Sequence, residues 1–363
     1  MRIAVVGGGP GGLYFAALAK ELDPRHHVEV WERNPADRTY GFGVIFSAPA
    51  LDALRRADLA LAGALAPDLV GWNDVTVHHR GGSATTTGLG FAAIGRRALL
   101  RHLRRRCDRL GVAMHHHRAA PPVGRLRAAA DLVVAADGAH SAIRAAHLES
   151  FGTTATPCAL RYAWLGAGGS FDGLSFLVAE TASGPVLAHA YPYEPGRSTF
   201  LVEAGPGAPT AGGRPDLDGL AGLFAEHLDG APLRSNGSRW HHFTVVRNAT
   251  WRAGNVVLLG DAAHTVHYSI GSGTKLALED ALALAAALRG AGTVPDALAT
   301  YEAARRPVVE DAQRVAQASL EWFENVGTAL DAPLPALMTD LLTRGGRVSL
   351  TDLRVADGLP WAA

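Results

Sequence analysis

The sequence lacks several features that would indicate particular classes of protein. It contains two cysteines, Cys107 and Cys158, and no C-x-x-C pair, which excludes a disulfide framework and a zinc ribbon. Lys plus Arg and Asp plus Glu number 34 each, so the net charge predicts neither a nucleic-acid nor an acidic-membrane partner. The most apolar later stretch, Leu276–Leu288, contains two acidic residues and is shorter than the roughly 20 residues that span a bilayer. We therefore expect a soluble, cytoplasmic protein.

Metal-site motifs are also missing, although the chain has 16 histidines. No H-E-x-x-H occurs, and His115, His116 and His117 are consecutive, so their side chains point in different directions. We expect no metal site. What the chain does have is 48% hydrophobic and 19% charged residues over 363 positions, the composition of a folded protein of about two domains.

Buried strands and helices alternate at the beginning of the chain. Ile3–Val6 is a β-branched run, Pro10–Leu22 has a helical pattern and Val28–Trp31 is a second strand, which together predict a βαβ unit. Further helices are predicted over Ala50–Ala66 and Arg96–Leu110. The predicted fold class is α/β: a Rossmann-like domain, an inserted, mostly antiparallel β-sheet domain, and a helical C-terminal region. The predicted boundaries are 1–70, 92–152 and 248–290 for the first, 71–91 and 153–247 for the second, and 291–363 for the third.

A glycine motif joins the first strand to the first helix. Gly7-x-Gly9-x-x-Gly12 stands at this turn, and Glu32 ends the next strand 20 positions after Gly12. Glycines permit a tight turn and close approach of the backbone to a pyrophosphate, the helix N-terminus attracts its charge, and a carboxylate accepts from ribose hydroxyls. The motif predicts a dinucleotide site and leaves FAD and NAD both open.

Two later segments also follow predicted buried strands. One is Asp137-Gly138-Ala139-His140-Ser141-x-x-Arg144, and the other is Gly260-Asp261-Ala262-Ala263-His264, which precedes Gly271-Ser272-Gly273. A dinucleotide that spans a sheet edge needs a polar group or a glycine turn at several strand ends. Three strand ends here meet that need.

These three segments, in this order, resemble those of the class A flavoprotein aromatic hydroxylases of the para-hydroxybenzoate hydroxylase type. The resemblance implies FAD, NAD(P)H as reductant, and hydroxylation of an aromatic ring through a C4a-hydroperoxyflavin. It places Asp137 between FAD and the nicotinamide donor and Asp261 beside the ribityl and pyrophosphate groups. It places Arg96, or Arg97 instead, near the pyrophosphate. The other cofactor residues predicted are Arg33, Gly43 in the segment beside the isoalloxazine, and Gly271, Gly273 and Thr274 at a helix N-terminus facing the flavin.

One segment departs from the general pattern of that family. Tyr268 stands where proline is common and Lys275 where asparagine is common. The stretch from His264 to Lys275 resembles that of the hydroxylases of aromatic acyl-CoA thioesters, and so do Trp322-Phe323-Glu324-Asn325 and Leu341-Leu342-Thr343-Arg344. The narrower resemblance implies a small aromatic substrate, possibly CoA-linked, such as salicyl-CoA or 2-aminobenzoyl-CoA.

Candidate substrate residues follow from the inserted sheet and the same loop. His189 and Tyr191 are two positions apart on a predicted strand and therefore face one side. We predict His189, Tyr191 and His267 as catalytic residues and His189, Tyr191 and Tyr268 as substrate-binding residues. The arginines between Arg101 and Arg109 indicate either a solvated helix surface or a landing site for CoA phosphates.

Two other functions stay open at this point. One is an epoxidising or dearomatising hydroxylase of natural-product biosynthesis, and the other is a non-catalytic flavin-binding redox module. The oligomeric state expected is a monomer or a homodimer.

Overall fold

The computed structural model describes residues 1–36, 38–169 and 171–346 and the backbone of 354–355. Its strands, in chain order, are β1 (Arg2–Val6), β2 (His27–Glu32), β3 (Gly43–Ser47), β4 (Val70–Trp72), β5 (Val75–His79), β6 (Gly82–Thr87), β7 (Phe91–Gly95), β8 (Ala113–His116), β9 (Leu132–Ala135), β10 (Thr153–Gly168), β11 (Leu174–Thr181), β12 (Gly184–Glu194), β13 (Arg197–Ala204), β14 (Thr210–Ala211), β15 (Arg214–Pro215), β16 (Leu233–Arg234), β17 (His241–Asn248), β18 (Arg252–Ala253), β19 (Val256–Leu258) and β20 (Arg354–Val355). Its α-helices are α1 (Pro10–Leu22), α2 (Ala48–Ala57), α3 (Leu59–Leu65), α4 (Arg96–Leu110), α5 (Val123–Ala129), α6 (Ala142–Ala146), α7 (Leu148–Phe151), α8 (Leu217–Leu223), α9 (Ala225–Leu228), α10 (Gly273–Gly290), α11 (Val294–Glu324) and α12 (Leu334–Thr343).

The chain divides into two compact units. The first unit comprises Met1–Arg38, Arg97–Thr156 and Thr244–Arg314, and the second comprises Thr39–Arg96, Pro157–Phe243 and Val315–Ala363. Among the described helices, none is long and apolar enough to cross a membrane.

The first unit is built on a six-stranded sheet in the order β18-β19-β9-β1-β2-β8. All its pairs are parallel except β18 with β19. The central strands are buried on both faces, which is the reason for their continuous β-branched runs. Val6 is in register with Trp31 and Ala135, and Ala135 with Leu258, so the carboxyl ends of four strands share one edge. The predicted Rossmann-like sheet is confirmed.

The second unit contains a nine-stranded, mostly antiparallel sheet, as predicted. Its order is β16-β10-β13-β12-β11-β5-β6-β20, with β17 paired to β10, and the β11–β5 pair is parallel. One face packs on Phe224 and its neighbours, and the other packs on Phe323 and Leu337 from the C-terminal helices. A separate antiparallel sheet has the order β3-β7-β4.

The two units differ from the predicted boundaries chiefly in two places. Residues 39–70 and β7 belong to the second unit, because β3 and β4 pair with β7 and not with the parallel sheet. The C-terminal region is divided between the units, because α11 is one continuous helix of 31 residues whose first part, up to Arg314, belongs to the first unit.

The helix predicted over Ala50–Ala66 is two helices. The break falls at Asp58, whose side chain accepts a hydrogen bond from Leu61 N at 2.9 Å and so caps the start of α3. An aspartate at this position satisfies an N–H that a continuous helix would satisfy with a carbonyl. The predictions for α1 and α4 match the structure at both ends.

Candidate active site

The glycine turn after β1 has two glycines that the protein itself requires. Gly7 has a φ of +112°, and a Cβ there would lie 2.1 Å from Ala136 O. A Cβ at Gly12 would lie 2.2 Å from Gly7 O. The packing of the protein itself therefore requires both glycines. Gly7 allows the turn to approach the residue after β9, and Gly12 allows α1 to approach the turn.

Gly9 is different, because no contact with a described residue requires a glycine there. Its φ is −77°, which any residue adopts, and a Cβ there would meet no atom of the described residues within 4 Å. The surface over Gly9 is therefore open for close approach of a ligand. Gly9 also precedes α1, in whose first turn no described side chain caps the helix and no acidic residue occurs. A helix end of this kind binds a pyrophosphate through its N–H groups and its dipole.

Glu32 at the end of β2 is fixed against this turn. Its Oε2 accepts from Gly8 N at 2.9 Å, and its Oε1 accepts from Asn34 N at 2.7 Å and from Asn34 Nδ2 at 2.8 Å. Arg33 beside it is exposed. The structure thus brings the predicted glycines and acid together, with the carboxylate oriented by three donors.

Asp137, after β9, is the second acid at this edge. Its Oδ2 accepts from Ala142 N at 2.8 Å, at the start of α6. Its Oδ1 is buried and has no hydrogen-bond partner among the described residues. A buried acceptor without a partner is costly, so this oxygen is an unfilled bonding position. Gly138 next to it has a φ of +83°, with no described atom within 4 Å of an added Cβ.

Arg144 joins this segment to the segment after β19. Its Nη1 donates to Ala262 O at 2.9 Å, and its Nη2 donates to Ala139 O. Burial lowers the pKa of this guanidinium below its ordinary value, against the charges of Asp137 and Asp261. Asp261 lies exposed in the 3-10 turn Gly260–Ala262. Arg144 therefore holds both acidic segments at the common sheet edge.

A buried ionic network lies under the second segment. His264 Nε2 is 2.7 Å from Asp280 Oδ2, which also accepts from Gly260 N at 3.2 Å. Arg305 Nε donates to Asp280 Oδ1 at 2.8 Å, and Arg305 Nη2 donates to Glu279 at 3.0 Å. Burial alone would raise the pKa of Asp280, but the charges and hydrogen bonds of His264 and Arg305 lower it. The network fixes the Gly260–His264 segment to α10 and α11.

The N-terminus of α10 carries the predicted residues Gly271, Gly273 and Thr274. A Cβ at Gly273 would meet no described atom within 4 Å, and no described side chain caps the first turn. This end lies beside α1, since a Cβ at Gly11 would be 3.0 Å from Ala277 O. In the preceding loop, His267 is buried and its Nδ1 is 2.8 Å from Ser269 Oγ, while its ring lies 4.0 Å from that of Tyr268.

In the second unit, Tyr191 anchors the segment that contains Gly43. Its hydroxyl donates to Gly43 O at 3.1 Å, and Gly43 N donates to Thr199 Oγ1 at 2.9 Å. A Cβ at Gly43 would lie 2.6 Å from Tyr193 Cβ, so packing inside this unit already requires glycine there. Burial raises the pKa of Tyr191 to about 12, against smaller lowering by Thr199 and Arg96, so the phenol is protonated at neutral pH. Tyr191 is therefore a hydrogen-bond donor.

His189 is on the same face of β12 as Tyr191, as the period of two predicts, but its surroundings differ. Its Nε2 is 3.2 Å from Glu203 Oε1, and Glu203 is fully buried. Its ring is 4.9 Å from that of Phe176 and 5.0 Å from that of Phe323. The guanidinium of Arg344 is 4.9 Å from the Phe323 ring. Burial lowers the pKa of Arg344 to about 10, and the charge of Glu203 opposes this change.

The two C-terminal segments that carried the narrower resemblance meet in this cluster. Trp322 Nε1 donates to Asp340 Oδ2 at 2.6 Å, and Arg344 Nε donates to Ser319 Oγ at 2.8 Å. They pack around Phe323 on the face of the sheet that holds His189. Arg96, in the second unit, begins α4, and its N–H donates to Phe42 O at 2.7 Å.

Comparison with known proteins identifies the family. Residues 122–316 match the family described as an FAD binding domain. A protein of Streptosporangium sibiricum named 3-hydroxy-4-methyl-anthranilyl-[aryl-carrier protein] 5-monooxygenase is 47% identical over 97% of both chains. The chain is a class A FAD-dependent aromatic monooxygenase.

Two further comparisons are consistent with this family. Salicyloyl-CoA 5-hydroxylase of a Streptomyces species is 40% identical over 98% of this monooxygenase and 73% of that protein. The tetrameric form of 2-methyl-3-hydroxypyridine-5-carboxylic acid oxygenase has the same fold, with a TM-score of 0.74 over 97% of this chain and 99% of that one, at 20% identity. The predictions of FAD, of NAD(P)H as its reductant and of monooxygenation of an aromatic ring are confirmed.

The residues of the first unit fit FAD. The open surface over Gly9, the uncapped N-termini of α1 and α10 and the unpartnered Asp137 Oδ1 are the features that a bound dinucleotide would complete. The sequence did not indicate the supporting residues of the monooxygenase. Asp280, Arg305 and Glu203 were not predicted, and no role was predicted for Arg144, His264 and Arg344. The signal available was a charged residue inside an otherwise apolar stretch, as for Asp280 in α10.

Gly9 and Gly12 give a matched pair of variants. Gly9→Ala should fold normally, because its Cβ enters open space, and should weaken FAD about 10- to 100-fold, since the added carbon obstructs approach of the pyrophosphate. Gly12→Ala should instead lower the melting temperature of the FAD-depleted protein, because its Cβ overlaps Gly7 O. Fluorescence titration with FAD and thermal melts separate the two effects. Equal FAD affinity in wild type and Gly9→Ala would show that Gly9 is not at the pyrophosphate.

Proposed function

We propose that this monooxygenase oxygenates an aromatic ring carried as a thioester, at the carbon para to an amino or hydroxyl group. The supporting observation is shared by the two relatives above. One is named for an anthranilyl group on an aryl-carrier protein and the other for salicyloyl-CoA, and both act at position 5. Position 5 is para to the 2-amino group of an anthranilyl ring and to the 2-hydroxyl group of a salicyloyl ring. Both substituents donate electron density to that carbon and make it the preferred target of an electrophilic oxygen.

Most of the residues that we propose to hold FAD belong to the first unit. We propose that the N–H groups at the start of α1, over the open surface of Gly9, bind the pyrophosphate, and that Glu32 accepts from ribose hydroxyls. Arg33 and Arg96, with Arg97 as the alternative, would add positive charge near the phosphates. Asp137 and Asp261 would accept hydrogen bonds from the cofactor at the same sheet edge. When bound, FAD accepts electrons from NAD(P)H and, with O₂, supplies the oxygen atom that enters the ring.

The N-terminus of α10 would act on the flavin itself. Its N–H groups follow Gly271, at Gly273 and Thr274, and its first turn contains no acidic residue. The positive end of an 18-residue helix stabilises negative charge that develops beside it. The His264–Asp280–Arg305 network keeps the neighbouring segment in place, so the arrangement would need little reorganisation during turnover.

Four side chains remain candidates for the ring. Burial raises the pKa of Tyr191 to about 12, so it would not remove a proton from the ring; because its single O–H donates to Gly43 O, it would contact the substrate as a hydrogen-bond acceptor or through its ring. His267 is the candidate base for a ring hydroxyl, because a neutral imidazole nitrogen can accept a proton. Tyr268, whose ring lies 4.0 Å from that of His267, would orient the substrate ring. His189, next to Glu203 and Phe323, is proposed to contact the substrate from the sheet of the second unit.

Turnover of matched thioester and acid substrates tests the proposal. We expect kcat/KM to be at least about tenfold higher for 2-aminobenzoyl-CoA and salicyloyl-CoA than for 2-aminobenzoate and salicylate. Remote contacts to the thioester handle supply binding energy that the acid lacks, so kcat should fall as well as affinity. NAD(P)H oxidation should be measured together with hydroxylated product, so that uncoupled oxidation is not counted. Equal or faster turnover of the acids would contradict the proposal.

A further inference from the structure

One face of α4 carries a row of exposed arginines. Arg97, Arg101, Arg105 and Arg109 follow at intervals of four residues, and all four are exposed. Positions four apart form a ridge on a helix surface, slightly inclined to its axis. With a rise of 1.5 Å per residue, the row is about 18 Å long. We call it the arginine row.

The fold does not require this row. α4 packs through its opposite side, where Leu99, Leu103 and Cys107 are fully buried. The buried arginine of the helix, Arg106, is neutralised by Glu21, with Nη2 and Oε2 2.8 Å apart.

Three of the four arginines in the row have little neutralising charge nearby. α4 contains seven arginines and a single acidic residue, Asp108. Within the described part of the chain, no carboxylate lies within 4.0 Å of the guanidinium groups of Arg97, Arg105 or Arg109. Like charges four residues apart destabilise a helix, and no ion pair with a described residue offsets that cost for these three arginines.

We propose that the arginine row is the docking surface for an acidic carrier protein that presents the aromatic thioester. The inference rests on the proposed function, and it selects a carrier protein over CoA as the thioester handle. The phosphates of CoA are gathered on one nucleotide, whereas the row extends about 18 Å, the length of three helical turns. An acidic helix on a partner matches that length and sign.

The row is also too local for a general polyanion surface. The whole chain has no net charge and a pI near 7.3, so it has no overall positive charge that would attract an extended nucleic acid or an anionic membrane. A carrier protein needs only a limited contact, since its substrate arm reaches beyond the docking surface. Complementary charge on such a rim raises the association rate more than it lowers the dissociation rate.

Charge reversal on the row tests the proposal. The variants are Arg105→Glu, Arg109→Glu and their combination, with Arg105→Gln/Arg109→Gln as a milder form. Arg125→Glu, an exposed arginine on α5 in the same unit, is the matched control. All are used as FAD-loaded holoenzyme, with flavin content and melting temperature verified. The substrates are a stand-alone aryl carrier protein loaded with a 2-aminobenzoyl group and 2-aminobenzoyl-CoA.

With the carrier-bound ring, we expect the double Glu variant to lose at least about tenfold in kcat/KM, and the wild type to lose activity as KCl is raised. The CoA thioester should stay within about twofold in every variant. Arg125→Glu should match wild type with both substrates. The Gln variant should fall between wild type and the Glu variant.

Two results would overturn the inference. An equal loss with both thioesters would assign the row to the phosphates of CoA or to the fold, and no loss with either would make it a solvated surface. A separate arm measures binding of fluorescein-labelled aryl carrier protein by anisotropy, without turnover. If neither thioester is hydroxylated by wild type, the proposed function fails. Salt-sensitive binding that is lost in the double Glu variant would still support the docking surface.

Discussion

Asp280→Ala should lower the free energy of unfolding by about 3–5 kcal/mol, the loss measured when one partner of a buried ion pair is removed. Asp280 is fully buried and contacts His264 at 2.7 Å, Arg305 at 2.8 Å and Gly260 N at 3.2 Å. Its loss leaves the Arg305 guanidinium buried with one carboxylate fewer and removes the acceptor that fixes the Gly260–His264 segment. FAD content after purification should fall with stability, because Asp261 belongs to that segment. Urea unfolding and the flavin absorbance of the purified protein measure both effects.

A control for this variant lies at the other end of the same network. Lys275 pairs with Glu279 at 2.9 Å, but both side chains are partly exposed, so Lys275→Gln should cost no more than about 1 kcal/mol.

The stabilisation by Asp280 should depend on pH. The pKa of Asp280 is lowered in the folded protein, so its contribution to the free energy of unfolding is present above its ordinary pKa and is lost as the pH falls. Wild type should therefore lose its stability advantage over Asp280→Ala as the pH falls below about 4. If Asp280→Ala were as stable as wild type at neutral pH, that result would contradict the proposed role of the network.

Glu203→Ala should be the second large effect, also about 3–5 kcal/mol. Glu203 is fully buried, lies 3.2 Å from His189 Nε2, and its charge favours the charged form of the partly buried Arg344. Without Glu203, Arg344 keeps its positive charge but loses the carboxylate whose charge opposes the cost of its burial. Urea denaturation is the appropriate measurement.

A double variant separates a lost charge pair from a lost side chain. Glu203→Leu/Arg344→Met removes both charges and keeps apolar volume, so it should be less destabilised than Glu203→Ala, since burying a charge pair carries its own desolvation cost. If the double variant loses as much stability as the sum of its single variants, the two residues act independently, and their charges do not stabilise each other.

Sequence reasoning succeeded where the signal is local. The apolar periodicity and the flanking residues of α1 and α4 give their bounds, and the glycine turn and Glu32 are in contact, since Glu32 Oε2 accepts from Gly8 N. The parallel register then brings Gly7, Glu32, Asp137 and Asp261 to one edge, because equivalent strand ends align.

It failed where interacting residues are far apart in the sequence, and where a single helix, α11, is divided between the two units. His264 pairs with Asp280 16 residues away, and Asp280 pairs with Arg305 25 residues away, at spacings that no helical or strand period selects. The break at Asp58 in the helix predicted over Ala50–Ala66 was not predicted, because an aspartate is equally compatible with the surface of a helix and with a helix cap. The prediction that Gly43 lies beside the flavin stays a prediction, and packing against Tyr193 is a second reason for glycine there that the sequence did not indicate.

Oxygen labelling tests the central claim most directly. The FAD-loaded protein is given NAD(P)H, ¹⁸O₂ and a 2-aminobenzoyl thioester, and the product is analysed by mass spectrometry and NMR. The account predicts one ¹⁸O atom per product molecule, at the carbon para to the amino group, with far less product from 2-aminobenzoate. Peroxide release without labelled product, or equal labelling of the acid and the thioester, would contradict it.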